Sequence, residues 1–167
     1  MRHLHILCEG QTEEIIASDV LRSHFSSADV YLTWSILTTK RPAGGSAFKG
    51  GVSTWSKLQR ELLLLSRDSS TTVLTTLLDY YAFPAEAPGM SDRPRSSPHD
   101  RVRHVEPEFV NDGVDTAPSK RILGAYPQYR KTVDGPLVVR EAGLDTIRSS
   151  CPHADDWLRE LEARLSR

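Results

Sequence analysis

A short apolar run that stops abruptly on an acid constrains this chain more than any other feature. His3, Leu4, His5, Ile6, Leu7 and Cys8 read as a buried strand, and Glu9 and Gly10 end it as a tight turn would. Thr12 then reads as a helix N-cap, with Glu13 and Glu14 in the first turn, where the unpaired amides of a helix start favour negative charge. Ile15, Ile16, Val20, Leu21 and Phe25 lie within reach of one helical face, so a helix is expected over approximately residues 12–25.

The same logic repeats twice. Val30, Tyr31, Leu32, Thr33, Trp34, Ile36 and Leu37 are β-branched, aromatic or aliphatic and predict a second strand. Beyond the glycine-rich stretch RPAGGSAFKGG, Val52, Trp55, Leu58, Leu62 and Leu65 recur at helical steps and predict an amphipathic helix ending near Ser66. Val73, Leu74, Leu77 and Leu78 predict a third strand that stops at Asp79. Strand, helix, strand, helix, strand is the pattern of an α/β fold, a parallel sheet flanked by helices and joined by right-handed crossovers.

From Phe83 to Pro118 the chain is rich in Pro, Arg, Ser and Asp and lacks periodicity, so an irregular basic loop is expected there. Ser119 reads as a cap ahead of Lys120, Arg121, Ile122 and Leu123. Pro136 through Ala142 predict a helix stopped by Gly143, and His153 through Arg167 a terminal amphipathic helix carrying Trp157, Leu158, Leu161 and Leu165. The chain thus reads as one domain over 1–167, with a βαβαβ core at 1–82, the loop at 83–118 and a helical C-terminal portion at 119–167.

Composition narrows the partners. The net charge is -1 and the pI about 6.6, which excludes a general positive field; any contact with DNA or RNA must be local or metal-mediated. Cys8 and Cys151 make no disulfide framework, which fits a reducing cytoplasm, and Cys8 reads as a small buried hydrophobe. The apolar stretch before Glu9 is too short for a signal peptide or a membrane span, so no membrane contact is expected.

Ligands of open α/β sheets gather beyond the carboxyl ends of the strands. Glu9 ends the first predicted strand and Asp79 the third, so neighbouring strands would project both carboxylates into one crevice. Such hard oxygen donors suit Mg2+ or Mn2+ together with waters and substrate phosphates. The metal can polarise a phosphoryl oxygen, while a carboxylate kept off it serves as acid or base. A carboxylate at a strand end is also an ordinary turn or capping residue, and residue types leave both roles open.

Other features carry less. Gly44 to Gly51, with Lys49, could approach a phosphate but lack the ending of a P-loop. Lys120 and Arg121 are further phosphate candidates, and Arg93, Arg95, His99, Arg101, Arg103 and His104 make the irregular segment locally basic. His3 and His5 share one side of a strand, but no further ligands complete a zinc site. Phe25, Trp55 and Trp157 stand at helical spacing among leucines and read as core. Cys151 in SSCPH has no nucleophile context.

Two motifs carry a family resemblance. CEGQTEE at Cys8 to Glu14 is similar to the EGxTE signature of Toprim-like proteins, including the overcoming-lysogenization-defect nucleases. LLDYYAFP at Leu77 to Pro84 resembles the DYYxFP signature of domain-of-unknown-function family 4276. GGSAFKGGVSTWSKLQREL, VNDGVDTAPSKRI and GPLVVREAGLDTIRSSCPHADDWLRELE read like the same family, so the resemblance spans nearly the whole chain.

It implies a Toprim-like, Rossmann-like sheet in which Glu9 is an acid/base or metal ligand and Asp79 a metal ligand. Gly10, Thr12 and Glu13 would shape the cofactor-binding turn beside them. The implied activity is that of a Mg-dependent nuclease working with an ATPase partner in phage defence. The alternatives are an inactive binding subunit of such a system and a phosphohydrolase of small nucleotides.

The chain departs from the pattern twice. Tyr81 stands where Toprim proteins place a second acid. RVRHVE at Arg101 to Glu106 runs directly into PEFVNDG, without the family's middle segment, which holds a strand and a His-Glu-x-Glu-like motif. This reads as an internal deletion that removes part of the sheet and some acidic ligands, with Glu106, Glu108 or Asp112 as potential substitutes.

Overall fold

The computed structural model describes residues 1–40, 48–49, 54–79, 83–84, 86–88 and 118–167. Its centre is strand β1 (Arg2–Cys8), paired in parallel with β2 (Val30–Ile36) on one side and with β5 (Val73–Leu77) on the other. Cys8 lies opposite both Ile36 and Leu77, so the three strands end together at one rim. The expected α/β architecture is present. Between β2 and β5 the chain adds β3 (Thr38–Lys40) and β4 (Phe48–Lys49), a small antiparallel pair where only a loop is expected from the glycines.

The first helix is continuous from Gln11 to Ser26: α1 (Gln11–Ile16), a π-helical turn (Ala17–Leu21) and α2 (Arg22–Ser26). Its extent matches the apolar spacing, but its cap does not. Gly10 is the N-cap, in extended conformation, and Thr12 sits inside the first turn. Near the π turn the Ser18 hydroxyl donates to the Ile15 carbonyl at 3.0 Å.

Helices cover both faces of the sheet because β1 alternates two sets of side chains. Leu4, Ile6 and Cys8 are buried with Ala17, Leu21 and Phe25 of the first helix and with Leu158, Leu161 and Leu165 of α7 (Pro152–Ser166). On the other face Leu7 packs with Leu37 and with Leu58 of α3 (Trp55–Leu65). This is the arrangement that right-handed crossovers produce when successive strands are added to opposite sides of the first. His3 and His5 occupy the Leu7 face. His3 Nε2 lies 2.6 Å from Thr33 Oγ1, and His5 lies 2.8 Å from Thr33 Oγ1 and 3.0 Å from Ser35 Oγ. These hydroxyls on β2 let a strand carry two imidazoles in partial burial without unpaired polar atoms.

The C-terminal portion is helical, as expected, with different boundaries. Helix α4 spans Pro118–Ala125, so Ser119 lies in its first turn and does not cap it. Helix α5 runs Lys131–Ala142 and begins before Pro136, which is inside it. A proline there has no N–H for the Thr132 carbonyl, so the ladder that opens with the Asp134 N–H on the Arg130 carbonyl lacks a bond two residues later. The start is fixed instead by Asp134, whose Oδ2 accepts the Arg130 backbone N–H at 2.6 Å.

Gly143, at φ +77°, ends α5 and opens α6 (Leu144–Ser150), a helix that periodicity does not predict. Arg148 of α6 donates at 2.6 Å to both Asp155 and Glu162 of α7, and His24 of α2 lies 2.8 Å from Glu162. Among the described residues no helix is long and apolar enough to cross a membrane. The irregular basic segment falls almost wholly outside the described residues, as does the glycine loop apart from Phe48 and Lys49.

Leu158 is buried at the junction of α7 with the sheet, whereas Leu64 on α3 is exposed. Leu158→Ala is expected to lower the unfolding free energy by about 2–5 kcal/mol in urea titrations, and Leu64→Ala to leave it within about 0.5 kcal/mol.

Candidate functional site

Glu9 follows the central strand directly, and the hydrogen bonds of its neighbours show why it sits where it does. The Glu9 backbone N–H donates to the Leu77 carbonyl at 3.0 Å, and the Leu37 N–H donates to the Cys8 carbonyl at 2.9 Å. The sheet ladder thus continues one step past the strand on both sides. β1 leads to β2 on one flank, and the chain then returns across β1 to place β5 on the other. The gap between β1 and β5 is therefore the topological switch point where α/β sheets bind ligands.

Glu9 and Asp79 meet at this point. Glu9 is 8% exposed, and its Oε2 accepts the Asp79 backbone N–H at 2.6 Å. Burial pushes the Glu9 carboxyl above its ordinary range, and the charges of Asp79 and Glu13 push the same way. The Asp79 amide and Lys131 oppose the rise without cancelling it. Asp79 is itself partly exposed, and Lys131, the first residue of α5, reaches its Oδ2 at 3.5 Å. A half-exposed lysine at that distance is a weak partner, and the pair is not locked into a buried ion bridge.

The remaining candidates separate. Glu13 Oε2 accepts the Gly10 N–H at 2.9 Å, which makes Glu13 a capping group at the start of α1. Gly10 supplies the extended turn between Glu9 and the helix, and Thr12 stands two residues beyond that cap. Lys49 lies in β4, and Lys120 and Arg121 lie on α4. The cation paired with Asp79 is Lys131, which no motif marks. It is 52 residues from Asp79 in the sequence and is brought there by the packing of α5 against α1.

Two neighbours also have clear roles. Glu14 Oε1 accepts the Trp34 Nε1–H at 3.2 Å, and the Arg22 guanidinium lies 4.3 Å from the centre of the Trp34 ring. Glu14 thereby braces the helix against β2. Burial, with the charges of Glu13 and Glu14, pushes the Cys8 thiol up to about 12, which leaves it an unreactive core residue. Tyr81, Glu106, Glu108 and Asp112 lie outside the described residues. Among the described residues no set of three or more His, Cys, Asp or Glu is grouped to hold a metal.

Fold and site together define an α/β protein with a carboxylate pair at the carboxyl rim of a parallel sheet. The family model described as Domain of unknown function (DUF4276) matches two stretches, residues 8–109 and 96–162. The chain belongs to this family. No curated protein and no solved structure matches it.

The raised carboxyl of Glu9 has a consequence for stability. A carboxyl that binds its proton more tightly folded than unfolded favours the fold while protonated and opposes it once ionised. Glu9→Gln keeps an acceptor for the Asp79 amide and removes the repulsion. It is expected to raise the melting temperature at neutral pH, an advantage that shrinks as pH falls toward about 4. Lys131→Met removes an opposing charge and is expected to move the Glu9 titration, followed by carboxyl NMR, further upward.

Proposed function

We propose that the Glu9–Asp79 rim carries out metal-dependent hydrolysis of phosphodiesters, in the manner of a Toprim-type nuclease acting on DNA or RNA. The observation that supports it is the convergence of two strand-end carboxylates at the switch point of the sheet, one of them buried and raised. Glu9 and Asp79 both fall within the first stretch that the family model matches.

The donors present fit Mg2+ or Mn2+ in kind: both are carboxylate oxygens, and Asp79 is partly exposed. When bound, such an ion would supply charge stabilisation at the phosphate oxygens and a more acidic water. Asp79 and Glu9 would hold it. Glu9, raised by burial, is also suited to hold or release a proton at a carboxyl oxygen. Hydrolysis adds water to phosphorus, breaks the bond to the leaving oxygen and delivers a proton to that oxygen. Lys131 balances charge at Asp79. An ATPase partner and a role in phage defence belong to the same reading and rest on the Toprim resemblance alone.

A second reading, a non-catalytic binding subunit, is favoured by the absence of a third ligand among the described residues. The family match falls into two stretches that overlap at residues 96–109, beside the junction where the Toprim resemblance implies an internal deletion; it also implies an acid at the position of Tyr81.

Incubation of the purified protein with single- and double-stranded DNA and RNA in Mg2+ or Mn2+ separates these readings. A nuclease is expected to nick at least one substrate, with a loss of about 10²–10⁴ in rate for Glu9→Gln. No cleavage by either protein, with retained nucleic-acid binding, supports the subunit. Hydrolysis of mononucleotides without nicking identifies a phosphohydrolase.

A further inference from the structure

A large concavity among the described residues begins at Leu77 and Leu78, directly before Asp79. A cavity of about 570 Å³ separates the end of β5 from the C-terminal helices, walled by Val20, Leu77, Leu78, Leu144, Ile147 and Trp157. That volume is within the range of small-molecule sites, roughly 300–1,000 Å³, and several times the roughly 150 Å³ that suffices for benzene. Its polar side chains are few: Thr76, His153 and the indole of Trp157, whose Nε1–H is already given to Thr75 Oγ1 at 2.9 Å.

The walls are held by polar ties behind them. Trp157 is fixed to β5 through Thr75. Next to Ile147 and Ala154, which line the space, Arg148 and Asp155 are joined at 2.6 Å, and Arg148 and His24 both reach Glu162. Moving α6 away from α7, or α7 away from β5, would break these bonds and leave charged or donor groups unpaired.

We propose that this cavity binds a small molecule with a hydrocarbon body and an uncharged polar head. The apolar lining selects the body, and no Asp, Glu, Lys or Arg lines the space to neutralise an ionic head. An anionic head is further disfavoured at the β5 end, where Leu78 of the wall is followed by Asp79, bonded to Glu9. The site stands apart from the phosphodiesterase reading and needs no metal. Its ligand would nevertheless lie against the backbone that presents Asp79.

Titration of the full chain with 1-octanol and with octanoate, followed by methyl and amide NMR and by thermal unfolding, tests the site. Octanol is expected to bind saturably, to raise the melting temperature and to shift the Asp79 amide, and to bind about tenfold tighter than octanoate. Ala154→Phe and Ile147→Trp fill the space, and each is expected to weaken octanol binding by about tenfold or more while the protein stays folded. Two variants are included so that poor folding of one leaves the other decisive. Absence of saturable octanol binding by the folded wild-type chain overturns the proposal, as does unchanged binding by a folded filling variant.

Discussion

Strand β1 is the constraint on which the rest depends. It is hydrogen-bonded along both edges, and its side chains are committed on both faces: Leu4, Ile6 and Cys8 to the first helix and α7, Leu7 to α3. A strand enclosed on four sides admits no register slip, because a shift of one residue would exchange buried leucines for imidazoles. His3 and His5 are accommodated on their face by Thr33 and Ser35 of β2 and by Thr71, whose hydroxyls lie within hydrogen-bond reach of the ring nitrogens. Everything at the rim inherits this rigidity. Glu9 follows Cys8 directly, so its position is set by the strand, and only the side chain remains to be placed.

That placement puts a carboxylate where the fold gains least from it. Glu9 is buried beside another acid and receives one strong bond from a backbone amide. A purely structural turn would be served as well by a neutral acceptor. An ionisable group held in unfavourable surroundings at the switch point of a parallel sheet is the feature on which the proposed activity rests. Glu13 and Glu14 take donors too, Gly10 for one and Trp34 for the other. The three neighbouring glutamates therefore divide into two that hold the first helix and one, Glu9, that ties the strand end to the Asp79 amide across the sheet.

The C-terminal helices connect to this rim in two ways. Helix α5 brings Lys131 to Asp79, and α6 and α7 close over the β5 end through Trp157 and the Arg148 cluster. The polar ties join α6 to α7 and α7 to α2, and the space under these helices is lined mainly by leucine, isoleucine and valine.

Much of this architecture is legible in the residue pattern alone. The three strands of the sheet, both amphipathic helices of the core and the two strand-end acids follow from periodicity and from the abrupt stops at Glu9 and Asp79, since buried backbone must alternate or repeat to hide its apolar side. The pattern misleads at boundaries governed by single hydrogen bonds. Thr12 has the chemistry of a cap, yet the turn closes earlier on Gly10 with help from Glu13; Ser119 and Pro136 look like helix starts but lie inside helices. Local residue types thus determined the class of fold and the two acids. Tertiary structure alone decided that Glu9 takes the Asp79 amide, that Lys131 stands beside the pair, and that a cavity remains under α6 and α7. Each of those facts depends on residues tens of positions apart meeting in space, and periodicity along the chain carries no record of such meetings.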